Sequence, residues 1–517
     1  MVKDEKVSLE IVEKVDSLDL RAHRGEEQEK HLTIWQSFKS YRKAVIWTLM
    51  FCLTIVMDGY DGSLTGAFNA LPAFKENFGV QLDDGSWTIE AKWQTAFGMG
   101  SPIGKIVGGL AVAWISDKVG RKKALLGTFV IITGLIFVIF FANSRSMLCG
   151  GFISAGIMWG SFNTLAPTYA SEVCPVHIRG ILAATINLSW VIGQFISMGV
   201  LNPLSKRDDE WAYRIPIAIQ WVWPAVLIPI MLFVPESPWW FIRQGKIDEA
   251  KSSLNRLVDT NDVDVDELVA YMIKTDETEK ELQSSGSYWD CFKGTDFRRT
   301  EIALMAWSIQ CLSGGPLIGF TTYFFQLAGL SNSDAFNLSL GVTAIGFVGT
   351  VMSWFFLAKV GRRRMYLVSL TIMIALMLVI GLLDVVPRNS GTMWATCTLV
   401  VLWVFMYDIS VGPFAYIVVS ETSSMRLRSK TVAISTTAYS LWSVVFQVAM
   451  PYMMNETEGY LRGKIGFIFG GLSIACLTWC WFRLPELKGR TYLEIDELFA
   501  LELPAREFKG FQLAINN

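Results

Sequence analysis

A chain of 517 residues has room for several soluble domains, but 52% of it is hydrophobic and only 18% charged, where soluble domains run at about a quarter. Its net charge of −2 offers nothing to a nucleic acid or another polyanion. The eight cysteines are scattered, mostly through apolar stretches, with no CxxC pair, which excludes a disulfide framework and a cysteine-held metal. Residues 1–43 are polar and charged, lack a cleavable leader and read as a tail. Apolar stretches of about 20 residues, the length that crosses a bilayer, then recur near 44–66, 94–115, 124–142, 147–170, 181–201, 216–234, 302–326, 337–358, 365–385, 393–419, 431–453 and 464–483. The hydrophilic linker 235–301, with amphipathic pieces such as Ile247–Leu257, divides them six and six, and 484–517 forms a second tail. The predicted fold is an all-α polytopic membrane protein, with twelve transmembrane helices in two six-helix bundles, 44–234 and 302–483.

Basic clusters orient these spans. Arg121-Lys122-Lys123 falls between spans 2 and 3, Arg362-Arg363-Arg364 between 8 and 9, and Arg426, Arg428 and Lys430 between 10 and 11. These loops share one side with both tails and the linker, and their excess of Lys and Arg predicts that this side is cytoplasmic. The sequon Asn455-Glu456-Thr457, between spans 11 and 12, then faces outward as a glycosylation candidate. Gly120-Arg121-Lys122-Lys123 recurs as Gly361-Arg362-Arg363-Arg364, an offset of 241. Ser171-Glu172 with Arg179 recurs as Ser420-Glu421 with Arg428 (249), and Pro235-Glu236 as Pro485-Glu486 (250). Three pairs at nearly one offset predict duplicated halves, the arrangement of transporters whose substrate site lies between the halves at mid-membrane.

A charge at the centre of a membrane helix costs on the order of 3 kcal/mol on insertion scales, so those present are candidates for function. Asp58 and Asp61 lie three apart on one face of span 1, Lys105 in the middle of span 2, and Asp408 in span 10 shortly before Gly412-Pro413. Burial favours a neutral carboxyl and a nearby cation favours the ionised one. A pair whose partner moves can therefore load and release a proton. Asp58, Asp61 and Lys105 are thus the proton-coupling candidates, with Lys105 able to pair with either aspartate.

Asp117-x-x-Gly120-Arg121-Lys122-Lys123, Pro235-Glu236-Ser237-Pro238-Trp239-Trp240 and Pro485-Glu486-x-Lys488-Gly489-Arg490-Thr491 resemble signatures of the sugar porter branch of the major facilitator superfamily. Asp58-Gly59-Tyr60-Asp61, Tyr169-Ala170-Ser171-Glu172-Val173-Cys174-Pro175 and Gln220-Trp221-Val222-Trp223-Pro224 resemble fungal α-glucoside (maltose-type) permeases. The resemblance runs from about Tyr41 to Phe499. It implies a proton site at Asp61 and a gating clasp of Asp117, Arg121, Glu172, Arg179, Arg362, Glu421 and Arg428. It also implies sugar contacts at Gln194, Gln310 and Tyr416. Asn187, seven residues before Gln194, with Trp190 and Tyr323, are further substrate-binding candidates, and Gln220 and Asn163 are weaker ones. The chain departs from its relatives at four places. Gly151 stands where many proton-linked relatives carry an arginine, Lys105 where α-glucoside permeases commonly carry an acid, Thr436 where they carry an arginine, and Pro316 near a usual asparagine.

The expected function is secondary active transport of a sugar, an α-glucoside such as maltose, across the plasma membrane by proton symport and alternating access. The protein is expected to work as a monomer without cofactor or metal. Lys105, Gly151 and Pro316 keep a second reading open, a uniporter or exporter of another sugar, polyol or small polar metabolite. A transporter-like nutrient sensor is a third. No Walker loop, catalytic triad or metal motif points to an enzyme.

Overall fold

The computed structural model describes residues 19–511 apart from 26, 28–32, 84, 261, 285–286, 425–426, 489, 491 and 509–510, so that Arg426, Gly489 and Thr491 of the motifs above lie outside the described residues. Twelve spans cross the molecule. Span 1 is Arg42–Phe68, span 2 Ala91–Val119, span 3 Arg121–Phe140, span 4 Arg145–Val173 and span 5 Val176–Leu204. Span 8 is Asn332–Lys359, span 9 Arg362–Val385, span 11 Arg428–Met454 and span 12 Ile465–Arg483. The other three are broken. Span 6 is Trp211–Ile219 followed by Val222–Phe233, and span 10 is Ser390–Ile409 followed by Val411–Thr422. Span 7 runs Gly294–Leu312, a 3-10 turn Gly315–Phe320, then Thr321–Ala328. Ten of these are long and apolar enough by composition to cross a membrane. Spans 4 and 5, 29 residues each, complete the twelve, their apolarity diluted by Gly, Ser, Thr and Asn.

The breaks escape a hydropathy reading because the sequence stays apolar across them. In span 7 the chain turns at Gly314, whose φ of +110° is a left-handed conformation that glycine adopts without strain. In span 10 Ser410 leaves helical geometry (φ −130°, ψ −90°) three residues before Pro413, which has no amide hydrogen to extend the preceding helix. The linker folds into helices Pro238–Arg243, Ile247–Leu257 and Val265–Ser284, all at the end of the bundles that carries the basic loops, called here the linker face.

Within the first half the helices meet backbone to backbone. Gly100, Gly104 and Gly108 repeat every fourth residue on span 2, and any side chain there would collide with the main chain of span 4 at Phe152, Gly156 and Ile157. Gly59 of span 1 lies against the Trp190 carbonyl of span 5, and Gly193 of span 5 against the Val56 carbonyl. In a bilayer, where apolar burial gives helices no reason to associate, such close contact supplies the packing energy. It also sets where the buried charges meet.

Candidate functional site

At the linker face the repeated motifs build the same object twice. Glu172 of span 4 takes a two-pronged bond from Arg121 (Nε to Oε2 3.1 Å, Nη2 to Oε1 2.9 Å). Glu421 of span 10 takes the equivalent bond from Arg362 (3.1 and 2.7 Å). Planar, charge-assisted pairs of this kind are the strong ones. Glu236 receives the amide hydrogens of Arg121 (2.9 Å) and Lys122 (3.1 Å) at the start of span 3, and Glu486 that of Arg362 (2.7 Å) at the start of span 9. Each carboxylate thus caps the positive end of a helix. Burial pushes the Glu236 carboxyl up from its usual range, against the pull of those amides. The motif glycines are explained by the same contact, since a side chain at Gly120 (φ +100°) would strike Glu236 and one at Gly361 would strike Glu486.

Asp117 joins the first clasp through Arg121 (2.8 Å), and Arg243 of the linker adds a bond to Glu172 (3.1 Å). Arg428 donates to the Ser420 carbonyl (2.8 Å). Arg179 lies on span 5, and its side chain is outside the described residues. Both Arg–Glu clasps therefore close within their own half and not across the gap between halves.

At mid-membrane the structure separates the two aspartates. Lys105 pairs with Asp58, Nζ to Oδ2 at 3.1 Å, and Asn163 of span 4 donates to the same oxygen at 2.9 Å. Asp58 is 3% exposed at its side chain, while Lys105 is 29% exposed. Asp61 is instead bonded by Gln220 (Nε2 to Oδ1, 2.9 Å), which sits at the break in span 6. Gln220 and Asn163, expected among weaker sugar contacts, are thus the neutral residues that hold the acids. The glycine stripe explains the pairing with Lys105, because it presses span 2 onto span 4 beside Asn163. A side chain at Gly151 would meet Ile139 of span 3, 2.7 Å from its Cβ, so the arginine expected there has been replaced by helix packing. The Thr436 hydroxyl folds back onto its own helix at the Val432 carbonyl (2.7 Å).

Facing the acids from the second half is a cluster of rings. Trp307 of span 7 packs edge-on against Tyr416 of span 10 (centroids 4.7 Å apart) and against Tyr439 of span 11 (5.2 Å), and Asp58 acts electrostatically on both tyrosines. Trp307 and Tyr439 were not legible in the sequence, because aromatic residues in membrane helices are ordinary. Asn187, Trp190 and Gln194 share one face of span 5, the helix packed on span 1. Among the described residues Asn187 Nδ2 and Trp307 Nε1 are buried with no partner, and buried donors of this kind usually serve water or a ligand. Gln310 is engaged, donating to the Gly412 carbonyl (2.7 Å) at the broken turn of span 10. Tyr323 lies away from the aspartates, toward the far end of span 7, with Lys75 over its ring (5.4 Å).

That opposite end is where the described hydrogen bonds between the halves gather. Lys75 donates to Gln326 (3.1 Å), Gln326 to the Ala70 carbonyl (2.7 Å), Asn332 to the Ser205 carbonyl (3.0 Å), and Asn202 to Asn337 (2.9 Å). Asn455 closes the latch, donating Nδ2 to the Ile89 carbonyl at 2.7 Å. This bears against the glycosylation expected at the sequon, since Asn455 is 0% exposed in this conformation and the nitrogen that would carry a glycan is bonded. Asn455→Gln is therefore expected to leave electrophoretic mobility unchanged. A glycosidase-sensitive band in the wild type that disappears in the variant would restore the sequon.

Comparison with known proteins agrees with this geometry. A family model described as "Sugar (and other) transporter" matches residues 47–499. The chain is 34% identical over 494 residues to a general alpha-glucoside permease of Saccharomyces cerevisiae, covering 94% of this chain and 80% of that one. It is also 34% identical over 509 residues to maltose permease MAL31 of the same yeast, covering 97% and 83%. Among solved structures it is similar to the proton:xylose symporter XylE bound to 6-bromo-6-deoxy-D-glucose (TM-score 0.69, 20% identity, 89% of this chain and 99% of that one). It is also similar to the inward-open conformation of XylE from E. coli (TM-score 0.67, 19% identity, 88% and 99%). At such identities the structural likeness is one of fold.

Proposed function

Because the chain belongs to the sugar (and other) transporter family, we propose that it imports an α-glucoside such as maltose by proton symport, exposing its central site to the two faces in turn. The arrangement of the two aspartates carries this reading. Lys105 compensates Asp58, whereas the donors at the Asp61 carboxyl are neutral, the Gln220 amide and the Trp159 indole, so Asp61 is the group left to take up and release the proton. The opposed Trp307, Tyr416 and Tyr439 offer ring faces on which the CH faces of a sugar stack, and the unpartnered donors nearby offer hydrogen bonds to hydroxyls. The hydrogen bonds gathered at the far end favour reading this conformation as one that opens toward the linker face. Its basic loops favour placing that face in the cytoplasm, with the plasma membrane as the site of action.

One observation favours a second reading. A cation already committed to Asp58 lies within electrostatic reach of Asp61, and if it held Asp61 ionised throughout the cycle the protein would be a uniporter. Uptake of labelled maltose, sucrose and glucose into transport-deficient yeast, with external pH followed, separates the two. Uphill accumulation with alkalinisation is expected, and Asp61→Asn is expected to lower the accumulation ratio at least about tenfold while keeping downhill exchange. Uptake without pH change in the wild type would establish the uniporter.

A further inference from the structure

Of the four ionisable residues singled out at mid-membrane, Asp408 has no part in the cycle just described. It stands at the end of the first piece of span 10, two residues before the break at Ser410. Its carboxylate is aimed at span 8, because a Cβ built on Gly346 would lie 2.6 Å from Asp408 Oδ2 and 3.9 Å from Val191 Cγ1 of span 5. A Cβ on Gly349 would lie 3.3 Å from Asp408 Cβ. The carboxylate therefore occupies the seam where spans 8 and 10 of the second half meet span 5 of the first. It makes no hydrogen bond and no ion pair among the described residues.

No charge comes to it from the surrounding helices. Span 8 carries Asp334 and Lys359, twelve and thirteen residues from Gly346, or about 18 Å along the helix. Span 5 carries His177 and Arg179, at least twelve residues from Val191, and the charges of span 9, Arg362 to Arg364 and Asp384, lie at its ends. On span 10 itself the nearest titratable group is Tyr407, and Glu421 is thirteen residues away.

A carboxylate with no partner in an apolar seam is disfavoured, and the neutral acid, formed by taking a proton from water, is the form that packs there. If the halves part along span 8, water reaches the group and the proton can leave. We infer that Asp408 is a second proton-binding site, loaded when the seam between spans 5 and 8 is packed and emptied when it opens. The direction of proton flow rests on the transport reading above. The existence of the site does not.

Dicyclohexylcarbodiimide adds to protonated carboxyl groups in apolar surroundings and so reports on the site without any substrate. Purified full-length protein treated between about pH 5.5 and about pH 8.5 and mapped by mass spectrometry is expected to carry an adduct on Asp408. That adduct should diminish as pH rises and persist in Asp61→Asn. No pH-dependent adduct at Asp408 overturns the proposal, whether or not a variant folds. In proteoliposomes the ratio of protons to sugar moved is expected to fall about twofold in Asp408→Asn, from two protons to one, and an unchanged ratio would overturn it as well. A wild type that moves sugar without protons would defeat the symport reading alone, leaving Asp408 to be decided by the labelling.

Discussion

Lys105→Met is expected to lower the apparent melting temperature of the detergent-purified protein by several degrees. Adding Asp58→Asn to it is expected to restore most of the lost stability. Removing one member of a buried ion pair costs about 3–5 kcal/mol because it strands the other charge. The figure here should be nearer 1–3 kcal/mol, since Lys105 keeps 29% of its side chain exposed and water screens it. Asn163 still donates to Asp58, but a single neutral donor does not balance a full charge. The double variant removes the stranded charge and leaves two amides at hydrogen-bonding distance. Scanning fluorimetry of wild type, both single variants and the double decides the matter. A Lys105→Met protein as stable as wild type, or a double variant as unstable as Lys105→Met, would mean that the pair does not hold spans 1 and 2 together.

The second large effect is expected from packing. Gly156→Leu should reduce the protein reaching the membrane at least about tenfold, because its side chain would have to occupy the space of the Gly100 main chain on span 2 and nothing flexible can yield. Gly127→Leu and Gly150→Leu, at positions where an added Cβ meets nothing within 4 Å, should reach the membrane at near wild-type levels. Fluorescence of tagged variants at the cell surface measures all three. Normal abundance of Gly156→Leu would show that spans 2 and 4 can stand farther apart than they do here.

The contrast between these residues shows what a sequence discloses. Span positions and the two-fold repeat are legible because both are carried by runs of residues, whose apolarity or spacing survives any detail of packing. Glu236 and Glu486 are legible as motif members, but their role as helix caps is not, since it depends on a carboxylate reaching across more than a hundred residues to the helix start behind Gly120 and Gly361. The choice of Lys105 between Asp58 and Asp61 depends on how closely spans 2 and 4 approach. That distance is set by Gly100, Gly104 and Gly156, whose meaning emerges only when the two helices are laid together. Trp307 and Tyr439 are hidden for the opposite reason, being common residues in a common setting, and only their convergence on Tyr416 distinguishes them.

The latch between the halves has a consequence for how the molecule meets its surroundings. Apart from Lys75, the side chains that fasten it, Asn202, Gln326, Asn332, Asn337 and Asn455, are all carboxamides. Amides neither titrate nor attract counterions, so their grip is indifferent to the acidity and ionic strength of the medium on that side. Each bond broken on opening is exchanged for one to water at a net difference of about 1 kcal/mol. The latch is therefore easily worked in any medium, and on the symport reading the response to protons is left to the carboxyl groups at mid-membrane.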